Sequence, residues 1–472
     1  MHAVDAGMRR TGMSRRDFLA FCGTATVLSA LAACSSEQAR SAPTTAGTTT
    51  TSMATTTSTP GGTFNLPAEA GEDPDAAAES LGGREIIVDV QTHLLEYPVG
   101  GGAAGFFGSG FPQASCGLDD PRSCFSIDQW IALVLEGSDT AVAVLSAVPI
   151  VGDDSPLSTE IMVRAREAAA AASCDGRVLI QGEAFPTTGP RELVFDRMSA
   201  LAEGHRIAAW KTYTHVGEGW YLDDGRGATQ IGQAFLDHVR ALGPPIVAVH
   251  KGFGGGPHAS PVDIGPAAAA NPDLSFLVYH SGYQPGVREG PYDPAAPNGG
   301  VDRLVASLDG AGIGTDANVY AELGSTWFNV LRDPTQAAHV LGKLLSRLGP
   351  DRIAWGTDSI WYGSPQAQIE AFRVFEISDE FQERFGYPAL TREIKARILG
   401  GNAIRLHGID TPVCAPATEA ALATIGPVVA PGPATAHEAQ QAFATAHLVR
   451  GSTDTRSGTR GRRPVDRHQM GE

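Results

Sequence analysis

VDVQTHLLE occupies residues 88–96. Small and apolar residues lead into Asp89, and Gln91 and His93 alternate behind it before the chain turns polar. Residues i and i+2 project from one face of a strand, so a strand here sends Gln91 and His93 the same way from its carboxyl end. The rest of the chain must supply neighbours for such a polar pair.

Downstream, seven further β-rich runs follow: TAVAVLSAVP, RVLIQGEAFP, IAAWKTYTH, PIVAVHKGF, LSFLVYHSG, NVYAELGST and RIAWGTDSI. Stretches of helical period separate most of them, among them STEIMVRAREAAAAAS, PRELVFDRMSALAEG, IGQAFLDHVRALG and DPTQAAHVLGKLLSRLG. Alternating strand and helix signals a parallel sheet. Eight such units over about 270 residues predict an α/β fold, a TIM-type (β/α)8 barrel with its site at the carboxyl ends of the strands. SPQAQIEAFRVFEIS and TREIKARILGGNAIRLHG read as closing helices.

Polar residues collect at those ends. His93 closes the first strand, Lys211 and His215 lie on the fourth, His250 ends the fifth, His280 the sixth, Glu322 lies in the seventh and Asp358 ends the eighth. A lone strand-end histidine is ordinarily a solvated or capping residue. Packing does not explain a set of them on one barrel.

The 472 residues, 42 % of them hydrophobic, suffice for a large core. A net charge of -17, from 52 acidic and 35 basic residues, opposes a nucleic-acid partner. Six scattered cysteines do not build a disulfide scaffold or a zinc ribbon. In SRRDFLAFCGTATVLSALAACSS, Arg15 and Arg16 precede an apolar run that is short for a membrane span of roughly 20 residues. Paired arginines before such a run predict a twin-arginine export signal over 1–34, and Leu31 to Cys34 resembles a lipobox whose cysteine is lipidated. A Thr/Ser/Ala-rich linker over 35–80 reads as a tether, 81–411 as the barrel, and 412–472 as a tail too poor in apolar groups to fold. The expected location is a cell-membrane lipoprotein or the periplasmic or extracellular space, where Cys116 and Cys124 either pair or stay free.

VDVQTH, VAVHKG, LVYHSG, WGTDSIW and ILGGNAIRLHGI together resemble the amidohydrolase superfamily, in the amidohydrolase-related group that includes aminocarboxymuconate-semialdehyde decarboxylase. That family carries His-X-His on the first strand, a histidine on the fifth and sixth, and an aspartate on the eighth. The resemblance implies one divalent metal, zinc above all, held by His93, His250, Asp358 and Gln91, with His280 and Asp358 catalytic. Imidazole and carboxylate suit such an ion, which lowers the pKa of bound water to about 7.

Gln91 stands where the family has histidine, and three roles are open to it: a weak oxygen ligand, a partner orienting His93 or a water, or a mark of a site without metal. Lys211 is read as a cation facing a substrate carboxylate or carbonyl, with a rim lysine as the plain alternative. Glu322 and Trp361 complete the expected substrate contacts, and Phe106, Phe107, Phe111, Tyr283, Tyr292, Trp327 and Tyr362 either wall a pocket or pack loops. The implied function is metal-assisted hydrolysis or decarboxylation of a small carboxylate or carbonyl substrate. The alternatives are a metal-free, lactonase-like hydrolase and an exported binding protein that has kept the barrel.

Overall fold

The computed structural model describes residues 60–97, 107–150, 155–173, 175–254, 256–315 and 317–410. The export signal, most of the linker, Phe106 and the tail lie outside these residues.

The chain enters through a short strand, β1 (Gly62–Phe64), and a helix over Pro74–Leu81. Eight strands then run β2 (Ile87–Thr92), β3 (Thr140–Leu145), β4 (Val178–Glu183), β5 (Ile207–Tyr213), β6 (Ile246–His250), β7 (Ser275–Tyr279), β8 (Val319–Glu322) and β9 (Ile353–Ala354). They form one eight-stranded sheet in sequential order, and every neighbouring pair is parallel. Backbone bonds from Val90 N to Trp355 O (3.0 Å), Asp358 N to Gln91 O (2.9 Å) and His93 N to Ser359 O (2.6 Å) join the last strand to the first. The sheet thus closes into the expected barrel.

Helices over Thr159–Ala172, Arg191–Gly204, Gly232–Leu242 and Pro334–Leu348 fill the connections where the period placed them. Val88, Val142, Ala209, Ala248, Leu277 and Ala354, from six strands, pack in one buried cluster with Ala403 of the final helix (Asn402–His407). Asn402 Nδ2 donates to Ile353 O (2.6 Å), and His407 Nδ1 to Ala208 O (3.1 Å). Both carbonyls lie at strand starts, so this helix covers the amino end and leaves the carboxyl end for the site.

Two boundaries differ from the sequence expectation. The folded body begins about twenty residues before residue 81, because β1 pairs antiparallel with β10 (Phe375–Ile377) and Phe64, Leu66, Ala70, Ala77 and Leu81 are buried. Asp73 accepts from Asp75 N and Pro74 follows it, a helix start within what reads as linker. Conversely, the predicted helix over SPQAQIEAFRVFEIS stops at Val374, where β10 begins. Cys116 and Cys124 are joined by a disulfide.

Candidate active site

Gln91, His93, Tyr213, His250, His280, Ser325, Asp358 and Trp361 line a cavity of about 150 Å³ at the carboxyl end of the barrel. That volume holds about one benzene-sized ring. Strand alternation delivers Gln91 and His93 together as expected: their Nε2 atoms lie 3.4 Å apart.

Asp358 is the hub. Its Oδ1 accepts from Gln91 Nε2 (2.8 Å) and lies 3.0 Å from His93 Nε2, while Oδ2 accepts from the Ser325 hydroxyl. His93 Nδ1 donates to Ser146 O (2.6 Å), so the ring's other nitrogen faces the carboxylate. Two bare acceptors do not approach to 3.0 Å, so a proton, or a cation bound to both, belongs between Nε2 and Oδ1. Burial pushes the Asp358 carboxyl up, but the His93 hydrogen bond, the His280 and His93 imidazoles and the Ser325 hydroxyl outweigh it and hold it at about 2. It is a carboxylate at working pH.

His280 and His250 form the second pair, with His280 Nε2 3.1 Å from His250 Nδ1. His280 Nδ1 donates to Gly324 O (2.7 Å), which leaves Nε2 to accept from His250. Burial lowers His280 to about 4, partly opposed by Asp358 and the Gly324 bond, and lowers His250 well below its ordinary range, helped by His280 and Lys211. Both rings are neutral at pH 7.

The backbone here is strained. Phe253 (φ 54°), His280 (φ 65°), Ser325 (φ 55°) and Asp358 (φ 61°) all adopt left-handed conformations and all line the cavity. Non-glycine residues accept such a φ only where the surroundings impose it, and such strain clusters at functional sites.

Three expectations need correction. Among the described residues no three His, Cys, Asp or Glu side chains come close enough together to hold a metal ion. Of the implied ligands, His93 and Asp358 meet, but His250 turns to His280, and Gln91 directs its amide nitrogen at the carboxylate because an ionised carboxylate only accepts. The amide oxygen, the one atom of Gln91 able to ligate, is buried without a hydrogen-bond partner among the described residues. These residues therefore do not fit the expected metal centre.

Lys211 and Glu322, placed by sequence on the substrate, do not line the cavity. Lys211 is fully buried, its Nζ 3.6 Å from the Tyr279 ring and 4.4 Å from the Tyr213 ring, with no hydrogen-bond partner among the described residues. Burial pulls its pKa well down, against the pull of Asp358 and Glu322. Glu322 instead accepts from His280 N (2.9 Å) and Gly324 N (2.5 Å), so it holds the backbone that carries His280.

Trp361 is in the wall as expected, stacked at 5.0 Å on His93 and 4.6 Å on Phe111. Sequence reading missed Ser325, whose hydroxyl also meets Tyr362 Oη at 2.7 Å. The Gly-Ser turn just after Glu322 was the available signal.

Residues 88–409 match the amidohydrolase family profile. No curated protein matches the chain. Among solved structures, 2,6-dihydroxybenzoate decarboxylase from Rhizobium is 14 % identical, with 69 % of this chain and 100 % of that chain covered and a TM-score of 0.43. An amidohydrolase from Burkholderia multivorans with bound zinc is 15 % identical, with 69 % and 100 % covered and a TM-score of 0.43. A probable 2-pyrone-4,6-dicarboxylic acid hydrolase from Acinetobacter baumannii is 14 % identical, with 68 % and 99 % covered and a TM-score of 0.41. With the profile running from β2 through the last helix, the chain belongs to the amidohydrolase family.

Proposed function

We propose that the chain is an exported enzyme that hydrolyses or decarboxylates a small carbonyl or carboxylate compound, using its own carboxylate and imidazoles. The observation that carries this reading is the buried Asp358 carboxylate, 3.0 Å from His93 Nε2 on a strained backbone in a ring-sized cavity. Both reactions need a proton beside the reacting carbon. In hydrolysis Asp358 takes a proton from attacking water, and the leaving atom receives one from the His93–Asp358 pair. In decarboxylation the electron pair of the broken C–C bond stays on carbon and takes that proton. His280, whose ring nitrogens are taken by Gly324 O and His250, holds the His250 ring at the cavity wall, and Trp361 walls the ring.

Replacement of Asp358 by Asn and of His280 by Ala tests this on a panel of aryl esters, lactones and hydroxybenzoates. Turnover lost in both folded variants supports the reading. Turnover kept in both removes catalysis from this cavity.

Export by the twin-arginine route with lipid at Cys34 belongs to the same proposal. Arg15, Arg16 and the Leu31–Cys34 run support it, as does a disulfide at Cys116–Cys124, which suits an oxidising compartment. Labelled palmitate should enter the natural chain and not Cys34→Ala; equal labelling of both contradicts the anchor.

A further inference from the structure

One wall of the cavity comes from outside the barrel. Residues 107–126 cover it with three single turns of 3-10 helix, Phe107–Gly110, Pro112–Ser115 and Pro121–Phe125, and supply Phe107 and Phe111 to the lining. Local bonds shape these turns, among them Phe111 N to Gly108 O (3.1 Å) and Cys116 N to Gln113 O (3.0 Å). Short 3-10 turns are weak on their own, so the segment keeps its place through what fastens it to the barrel.

Two fastenings converge on Trp361. The first is aromatic: Phe111 stacks on its ring at 4.6 Å, with Phe107 at 5.7 Å and Phe125 at 5.8 Å. The second runs through Gln113, whose backbone N donates to Trp361 O (3.1 Å) and whose buried amide donates to Cys124 O (2.7 Å). Cys124 is fully buried and joined by the disulfide to half-buried Cys116, while residues 117–121 between them are exposed. The disulfide therefore closes the outer turn of the segment, where packing does not. A cross-link of this kind removes alternative conformations, and an exposed turn that loses it is free to open. Trp361, in turn, is 3 % exposed under those rings and stacks on His93 at 5.0 Å.

We infer that the Cys116–Cys124 bond is a redox device that completes the cavity: oxidised, it holds residues 107–126 over Trp361, and reduced, it lets that wall open. A dithiol supplies the two electrons and two protons that turn the bond into two thiols, and itself closes to a disulfide. In a reducing compartment the wall stays open, and the site is completed where the bond forms. This adds regulation to the catalytic reading above and rests on it for any effect on turnover; the opening itself is read without a substrate.

Tryptophan fluorescence gives that readout, because all six tryptophans of the chain are buried, at 3 % exposure or less. Acrylamide quenching is measured on the full chain with and without dithiothreitol, beside the double variant Cys116→Ser/Cys124→Ser and beside Trp361→Phe. The oxidised chain should resist quenching. Reduction should make about one tryptophan of the six quenchable while the far-UV circular dichroism spectrum stays unchanged, and the double variant should match the reduced chain without reductant. Trp361→Phe should remove the rise. No rise in either the reduced chain or the double variant overturns the proposal, as does a rise that survives in Trp361→Phe. A rise with reductant that the double variant lacks belongs to other cysteines and overturns it too. Loss of the whole dichroism signal on reduction does the same, since the bond would then hold the barrel and not its wall. The catalytic reading falls separately: Asp358→Asn and His280→Ala retaining turnover would move the chemistry elsewhere without touching the quenching result.

Discussion

Lys343 and Lys211 are both closed to solvent, at 3 % and 0 % exposure, yet they sit in opposite settings. Lys343 holds Glu289 at 2.6 Å and Asp302 at 2.5 Å, and through them the loop that follows β7: Glu289 also accepts from Val301 N. Lys251 and Asp263 tie down the loop after β6 in the same manner. Under the cavity the pattern reverses. Lys211 Nζ and Gln91 Oε1 are buried without hydrogen-bond partners among the described residues, and four left-handed residues line the space above them. Where charge fastens a loop, each lysine faces a carboxylate; where a reaction is read, Lys211 faces none and the backbone is strained.

The largest expected effect is on turnover. Asp358→Asn removes the proton acceptor and should lower kcat by about three orders of magnitude while leaving the circular dichroism spectrum unchanged. A drop of only a few-fold would place Asp358 with the structural charges.

Stability separates the two lysines directly. Lys343→Met strands two buried carboxylates and should cost about 3–5 kcal/mol in urea denaturation. Lys211→Met removes an unmatched amine from an apolar cage and should cost under about 1 kcal/mol. Equal costs would break the contrast.

Acid should weaken the fold through His280, held at about 4 in the folded chain against 6.5 when exposed. The folded state binds this proton less readily, so the contribution is complete above pH 6.5 and is lost as pH falls toward 4, by about 3 kcal/mol. Denaturation of His280→Gln should show a correspondingly flatter dependence between pH 6.5 and 4. An unchanged slope would remove His280 from that account.

Much of the fold was legible because barrel strands buried on both faces write continuous apolar runs, and a histidine or carboxylate at the end of a run is conspicuous. All eight runs became strands in order, although RIAWGTDSI keeps only Ile353–Ala354 in the ladder before the chain turns toward Asp358. The β1–β10 pair was not legible, since three residues pairing across the whole barrel leave no periodicity to detect. Within the site, strand parity placed Gln91 with His93. Parity does not report depth, so it could not show that Lys211 stops beneath the cavity, or that His250 spends a ring nitrogen on His280.

The Gln91 amide is therefore the point on which the account turns: it bonds Asp358 through nitrogen, at 2.8 Å, in the place where an imidazole would ligate. The most direct test is elemental analysis of the purified full chain beside its Gln91→His variant. The expected result is metal well below one equivalent in the natural chain and a clear gain in the variant. About one equivalent of zinc, manganese or iron in the natural chain, with turnover abolished by chelation, would contradict it.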